Sequence, residues 1–238
     1  MHRFFTNEIK DQTAVVRGED VKHISRVLRL RAGDAVQLCD GSGSECDAVI
    51  ESVAPDAVTF RTQPWRRAKT EPAAQVTLFQ CLPKAGKMET IIQKCVELGA
   101  FGFVPVQSER CVVVLKPPYE GRVERWQRVS EEAAKQSRRG TIPEVALPKS
   151  LKELDFSAFD TVLVAYENER TVSLKAALRA HPCRRIAIVI GPEGGFSEEE
   201  IAILTEKGAS PVSLGTRILR TETAGMAMLA QIMYEVEP

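Results

Sequence analysis

The spacing of apolar positions changes partway along the chain, and the change predicts two differently built halves. Up to residue 62 the apolar residues come in short, alternating runs. Residues 34–39 and 46–53 read as strands flanking Asp40-Gly41-Ser42-Gly43-Ser44, a cluster of turn formers, and residues 57–62 supply a further strand. Residues 19–31 instead space Val21, Ile24, Val27, Leu28 and Leu30 as a short amphipathic segment among basic side chains. A small β-barrel carrying one helix is expected. Pro64 and Pro72 then bracket a polar, basic stretch that reads as a linker, with a boundary within 64–75. One domain is therefore expected over 1–70 and a second over 74–238.

Beyond the linker, strand and helix patterns alternate, which predicts an α/β fold with a mostly parallel sheet covered by helices. Strands are expected at 76–82, 101–106, 112–115, 161–166, 185–190 and 212–214. A helix is expected at 87–98, where Met88, Ile91, Ile92, Cys95 and Val96 recur at helical spacing and Gly99 stops the run. Others are expected at 122–139, 171–180 and 222–235. Ser197 and Glu200 form a capping box, and Phe196 with Ile201 a hydrophobic staple, so a further helix starts there. Residues 191–196 are then a strand-to-helix loop, where α/β sheets hold their ligands.

Composition narrows the classes without choosing a partner. Of 238 residues, 44% are hydrophobic and 27% charged, enough apolar material for sizeable cores. Lys plus Arg number 32, as do Asp plus Glu, so phosphate binding would need local clusters of positive charge. The cysteines, at 39, 46, 81, 95, 111 and 183, contain no CxxC pair and no nearby histidine set, so no metal is expected. Several lie in apolar runs, where a free thiol packs as a small hydrophobe. The first eight residues lack signal-peptide character, and apolar runs such as 186–190 are too short to cross a bilayer. A reduced, soluble, cytoplasmic protein is expected.

Two loops carry the candidate chemistry. Gly191, Gly194 and Gly195 let the first approach a ligand closely, although it matches neither the dinucleotide nor the phosphate-loop glycine pattern. A tight connection needing positive φ explains these glycines equally well. The second loop, 214–225, sets Arg217, Arg220 and Glu222 among small and apolar residues before the last helix, with Thr221 or Thr223 available as its cap. Its plainer alternative is a solvated surface loop pairing arginines with acids. The two loops are expected to follow adjacent strands and to share one pocket.

The stretches Ile190-Gly191-Pro192-Glu193-Gly194-Gly195-Phe196-Ser197 and Leu214-Gly215-Thr216-Arg217-Ile218-Leu219-Arg220-Thr221-Glu222-Thr223-Ala224 resemble the two C-terminal motifs of the RsmE family. These are SPOUT-class enzymes that methylate N3 of a uridine in 16S ribosomal RNA. Lys84-Ala85-Gly86-Lys87-Met88-Glu89, residues 93–99, 132–139 and 23–30, and the opening Arg3-Phe4-Phe5 extend the resemblance nearly end to end. It implies a PUA-like RNA-binding β-barrel followed by a SPOUT α/β domain with a trefoil knot. Periodicity cannot reveal a knot, and general rules of chain threading argue against one. The resemblance also implies a homodimer, with Met226, Met228, Leu229 and Met233 of the last helix facing a partner copy. From the residues alone, that face could equally be intramolecular core.

By the same resemblance, S-adenosyl-L-methionine is held by Ile190, Gly191, Pro192, Gly194 and Gly195 from one loop. Leu214, Gly215, Ile218, Leu219, Thr223 and Ala224 come from the other, and Tyr166 and Glu167 from a third. Such residues supply the apolar slot and backbone groups that a purine needs. Arg220 or Arg217 is expected to stabilise the uridine anion at its carbonyl oxygens once the N3 proton leaves. Glu222 or Glu193 is a candidate acceptor for that proton, although Glu222 would also suit the first turn of a helix without any catalytic role. RNA contacts, to 16S ribosomal RNA or the small ribosomal subunit, are expected from Arg3, Lys22, Arg26 and Arg29. Arg138 and Arg139, in the family's Gln-Ser-Arg stretch, are expected to join them. Two alternatives stay open: an RNA-binding assembly factor without chemistry, and an enzyme acting on transfer RNA or another nucleoside.

Overall fold

Alternation in the first seventy residues folds into β1 (Arg3–Phe5), β2 (Glu8–Lys10), β3 (Thr13–Arg17), β4 (Ala35–Cys39), β5 (Ser44–Val53), β6 (Ala57–Thr62) and β7 (Arg66–Arg67). The computed structural model describes residues 1–84, 86–180 and 184–237, so Ala85 and Cys183 lie outside the described residues. The strands form one sheet in the order β1-β4-β5-β6-β3-β2, with β7 added on β5. β1 and β4 are parallel and the other pairs antiparallel. Its inward residues, including Phe4, Val36, Leu38, Ile50 and Phe60, bury against Val21 and Ile24. Those two come from α1 (Glu19–Lys22) and the π-helical turn His23–Val27 that continues it. The stretch expected as a linker is ordered instead. Arg66 and Arg67 pair with Glu45 and Ser44 of β5, the Arg66 guanidinium lies 3.0 Å from Asp47, and Ala68 is buried. Strand and charge pairing on β5 hold it where prolines alone suggested freedom.

The chain divides into two units by contact: unit 1 is Met1–Glu71 with Ala134–Ile142, and unit 2 is the remainder. Residues 134–142 belong with the first sheet because Gly140 packs so closely on Ala68 that a Cβ there would collide with it.

Unit 2 begins with β8 (Gln75–Cys81), α2 (Lys87–Glu97), β9 (Gly102–Gln107) and α3 (Glu120–Gln136), whose last turn enters unit 1. Then come β10 (Glu144–Val145), β11 (Lys149–Ser150), β12 (Thr161–Ala165), α4 (Leu174–Ala180), β13 (Arg185–Ile190), α5 (Glu198–Glu206), β14 (Ser210–Val212) and α6 (Thr221–Val236). The sheet is parallel throughout, in the order β10-β9-β8-β13-β12-β14, with β11 also on β9. Near-continuous apolar runs in β8, β12 and β13 suit strands covered on both faces. The capping box at Ser197 forms as expected, with Glu200 N–H donating to Ser197 Oγ at 3.2 Å and Ser197 N–H to Glu200 Oε2 at 3.1 Å.

Three expectations are revised. Residues 112–115 form no strand, and Val112 and Val114 are exposed, because β10 and β11 already occupy the side of β9 they would need. The strands before the two glycine-bearing loops are not neighbours: β12 lies between β13 and β14. In α6, Met228, Leu229 and Met233 are buried within this chain, against the sheet and α2, so they are intramolecular core. Cys39, Cys46, Cys81, Cys95 and Cys111 are buried free thiols.

Candidate functional site

Because the strands of unit 2 are parallel, the loops leaving β12, β13 and β14 emerge at one edge of the sheet. Together they enclose a cavity of about 490 Å³, within the range of roughly 300–1,000 Å³ typical of small-molecule sites. The expected cofactor residues line it, Thr223 excepted. Arg217 and Arg220 line it as well, whereas Glu222 does not. Because β12 runs between the two glycine-loop strands, Tyr166 and Glu167 enter the wall from its end, completing a three-sided site.

Close approach of neighbouring side chains accounts for two of the glycines. Gly195 has φ 64°, and a Cβ there would collide with the Glu167 carboxylate. A Cβ on Gly191 would lie 3.1 Å from the Phe196 ring. Thr221 does not cap α6 with its side chain; its hydroxyl donates to the Gly191 carbonyl at 2.6 Å and accepts from Gln80 Nε2 at 2.9 Å. Gln80 is fully buried in β8, so this relay registers the start of α6 against the glycine loop. From the far side Arg110 donates to the Gly194 carbonyl at 3.0 Å. Sequence reasoning missed Gln80 and Arg110, which lie 111 and 84 residues from the loop groups they support, counting Gln80 to Gly191 (191 − 80) and Arg110 to Gly194. Neither belongs to a local pattern.

The acidic residues are held by a lysine. Lys87 Nζ lies 3.1 Å from Glu193 Oε1 and 3.1 Å from Glu222 Oε2, and Lys84 N–H donates to the same Glu193 oxygen at 3.0 Å. Burial pushes the Glu193 carboxyl up, but the Lys84 amide and the Lys87 ammonium outweigh it and leave it below the ordinary carboxylate value. Glu222 is lowered by its own backbone N–H at the start of α6 and by Lys87. Hydrogen bonds to Glu222 and Glu193 in turn raise Lys87.

An adenosine-bearing cofactor suits this lining. Leu214, Leu219, Pro192 and Phe196 offer apolar surface. Residues 216–219 make no backbone hydrogen bond among the described residues, which leaves amide and carbonyl groups on the cavity wall for a ligand. The guanidinium groups of Arg217 and Arg220 likewise have no hydrogen bond or ion pair among the described residues, and both side chains are exposed.

The expected RNA contacts of unit 1 fall into two groups. Lys22, Arg26, Arg29 and Arg138 are exposed. Arg3 and Arg139 are not available: Arg3 Nη2 meets Glu45 Oε2 at 2.8 Å, and Arg139 Nη2 meets Glu71 Oε2 at 2.8 Å, each pair nearly buried. Arg3 also donates to Gln37 and to the carbonyl of Arg138. Both are structural ties of the unit, because burying a guanidinium requires a carboxylate beside it.

Comparison with known proteins agrees with this arrangement. A family model described as RNA methyltransferase domain matches residues 69–233, and one described as RNA methyltransferase PUA domain matches residues 16–63. The chain is 37% identical to ribosomal RNA small subunit methyltransferase E of Bacillus subtilis, covering 100% of this chain and 98% of the relative. It is 35% identical to the protein of the same name from Mycobacterium bovis, over 96% and 90% of the two chains. The crystal structure of ribosomal RNA small subunit methyltransferase E from Neisseria gonorrhoeae bound to S-adenosyl methionine superposes with a TM-score of 0.85 at 32% identity, over 99% of this chain and 98% of that one. Fold, cavity and sequence agree, and the chain belongs to the ribosomal RNA small subunit methyltransferase E family.

Proposed function

We propose that this protein transfers a methyl group from S-adenosylmethionine to N3 of a uridine in the 16S RNA of the small ribosomal subunit, working in the cytoplasm as a homodimer with a trefoil-knotted SPOUT domain. The observation that carries the reading is a cavity, built from three loops at one edge of a parallel sheet, whose wall carries two exposed arginines with no hydrogen bond or ion pair among the described residues. The glycine loop and residues 214–219 would hold the cofactor through apolar contacts and backbone groups. Bound there, it supplies a sulfonium-activated methyl group.

The protein's own task is then alignment and charge. Closing three loops around one volume supports the in-line geometry that methyl transfer needs. Uridine N3 is a poor nucleophile until its proton leaves; that proton would pass to solvent at the open side of the cavity, and the negative charge would then spread to the flanking carbonyl oxygens. Arg220, with Arg217 beside it, would donate to those oxygens where the charge develops. Glu193 and Glu222 would serve as fixed anions: the Lys84 amide holds the Glu193 carboxyl below its ordinary value against burial, the backbone N–H of Glu222 does the same for its own, and Lys87 adds to both. Lys22, Arg26, Arg29 and Arg138 would grip RNA phosphates.

Ligand-induced stabilisation tests the cofactor reading. S-adenosylhomocysteine at a hundred times its Kd should stabilise the protein by about 2.7 kcal/mol, seen as a raised Tm. Gly195→Val, which forces a side chain towards Glu167, should lose that rise. No shift in the unsubstituted protein would refute the reading.

A further inference from the structure

We propose that Lys87 is a positioning residue of the transfer site, locking the glycine loop after β13 to the first turn of α6; this rests on reading the cavity as the S-adenosylmethionine site. Its ammonium bridges Glu193 and Glu222 at 3.1 Å each. Glu193 lies within the glycine loop and lines the cavity, whereas Glu222 stands two residues after Arg220. One cation therefore spans the two segments whose separation sets the width of the site. Lys87 itself stands in the first turn of α2, outside the lining, so it acts through its partners.

The electrostatics give the lock a direction. Without the ammonium, two carboxylates that had shared it would face each other, and like charges this close repel. Besides packing, the hydrogen bonds that still join the segments among the described residues are those of the neutral Gln80–Thr221–Gly191 relay. Charge-assisted bonds are stronger than neutral ones of the same exposure, so the lysine supplies the charged part of the attachment between the two segments. The side chains of Lys87, Glu193 and Glu222 are 29%, 24% and 25% exposed, so solvent weakens the pairs and their loss should not unfold the chain. Placement is affected instead: a shift of about 1 Å at an aligned site can cost on the order of 100-fold in rate.

The test begins without cofactor. Lys87→Met should speed amide hydrogen exchange across 191–196 while leaving the centre of β13 and the ligand-free Tm unchanged. In the same protein, S-adenosylhomocysteine affinity measured by calorimetry should fall roughly tenfold, the size of one lost charge-assisted bond. Lys87→Arg, which keeps charge and reach, should retain both protection and affinity. Unchanged exchange in the loop of the Met variant, or equal losses in the Met and Arg variants, overturns the proposal. If the unsubstituted protein binds no S-adenosylhomocysteine, the cofactor reading fails instead, while the exchange result still judges the lock.

Discussion

The nearly buried arginines of unit 1, Arg3 and Arg139, and those of the unit 2 cavity sit in opposite electrostatic surroundings. Arg139 is buried, and its guanidinium meets Glu71 at 3.0 and 2.8 Å, while the same carboxylate accepts the amides of Gly140 and Thr141 at 2.7 and 3.1 Å. Arg217 and Arg220 are exposed on a cavity wall, with no hydrogen bond or ion pair for either guanidinium among the described residues. A desolvated cation needs its anion inside the protein; one at an open cavity can take its anion from a ligand. Partners, more than residue type, separate structural arginines from candidate working ones.

Breaking the buried pair should have the largest effect. Arg139→Ala strands Glu71 and should cost about 3–5 kcal/mol in denaturant unfolding; a destabilisation below about 1 kcal/mol, the range of exposed pairs, would mean the pair is not a tie. Next, Arg220→Ala should lower kcat by roughly 100- to 1,000-fold, as removing a charge-stabilising donor does, while S-adenosylhomocysteine binding stays near normal. Full turnover would remove Arg220 from the mechanism.

A pH titration sharpens the contrast. Burial raises the Glu71 carboxyl, but the hydrogen bonds and charge of Arg139 and the two amides hold it below its ordinary value of 4.5. Its stabilisation is therefore present above pH 4.5 and lost as pH falls through the depressed folded value. Glu71→Gln should flatten that acid limb, and an unaltered limb would assign the acid sensitivity to other groups. The smallest effect is expected from neutralising Lys22, Arg26 and Arg29 together. RNA affinity should then depend less steeply on salt, the log–log slope falling by roughly 2 units at about 0.7 for each phosphate left without its cation. An unchanged slope would take these residues off the RNA surface.

Much of the fold is legible in the sequence where periodicity is long enough to register. Strands at 57–62 and 185–190 appear with the expected bounds because the first alternates inward apolar and outward residues, the second is an apolar run, and Pro64 and Gly191 follow them. The two-residue strands β10 and β11 have no period to read, and 112–115 has the composition of a strand but no open neighbour. The cavity is legible as two glycine-bearing loops, yet the intervening β12 depends on sheet order, which local pattern does not encode. Arg138 and Arg139 show the same limit. Arg138, with φ 60°, turns the chain out of α3 and is exposed, while Arg139 is carried inward to Glu71, 68 residues away in sequence. Lys87 is visible within a matching motif, but its partners lie 106 and 135 residues distant.

Labelled S-adenosylmethionine, offered with small ribosomal subunits that lack the modification and in parallel with naked 16S RNA and transfer RNA, tests the central claim most directly. After digestion, the account predicts labelled N3-methyluridine from 16S RNA, formed roughly 100- to 1,000-fold more slowly by Arg220→Ala. Label in another nucleoside or in transfer RNA alone, or no label despite cofactor binding, would contradict it.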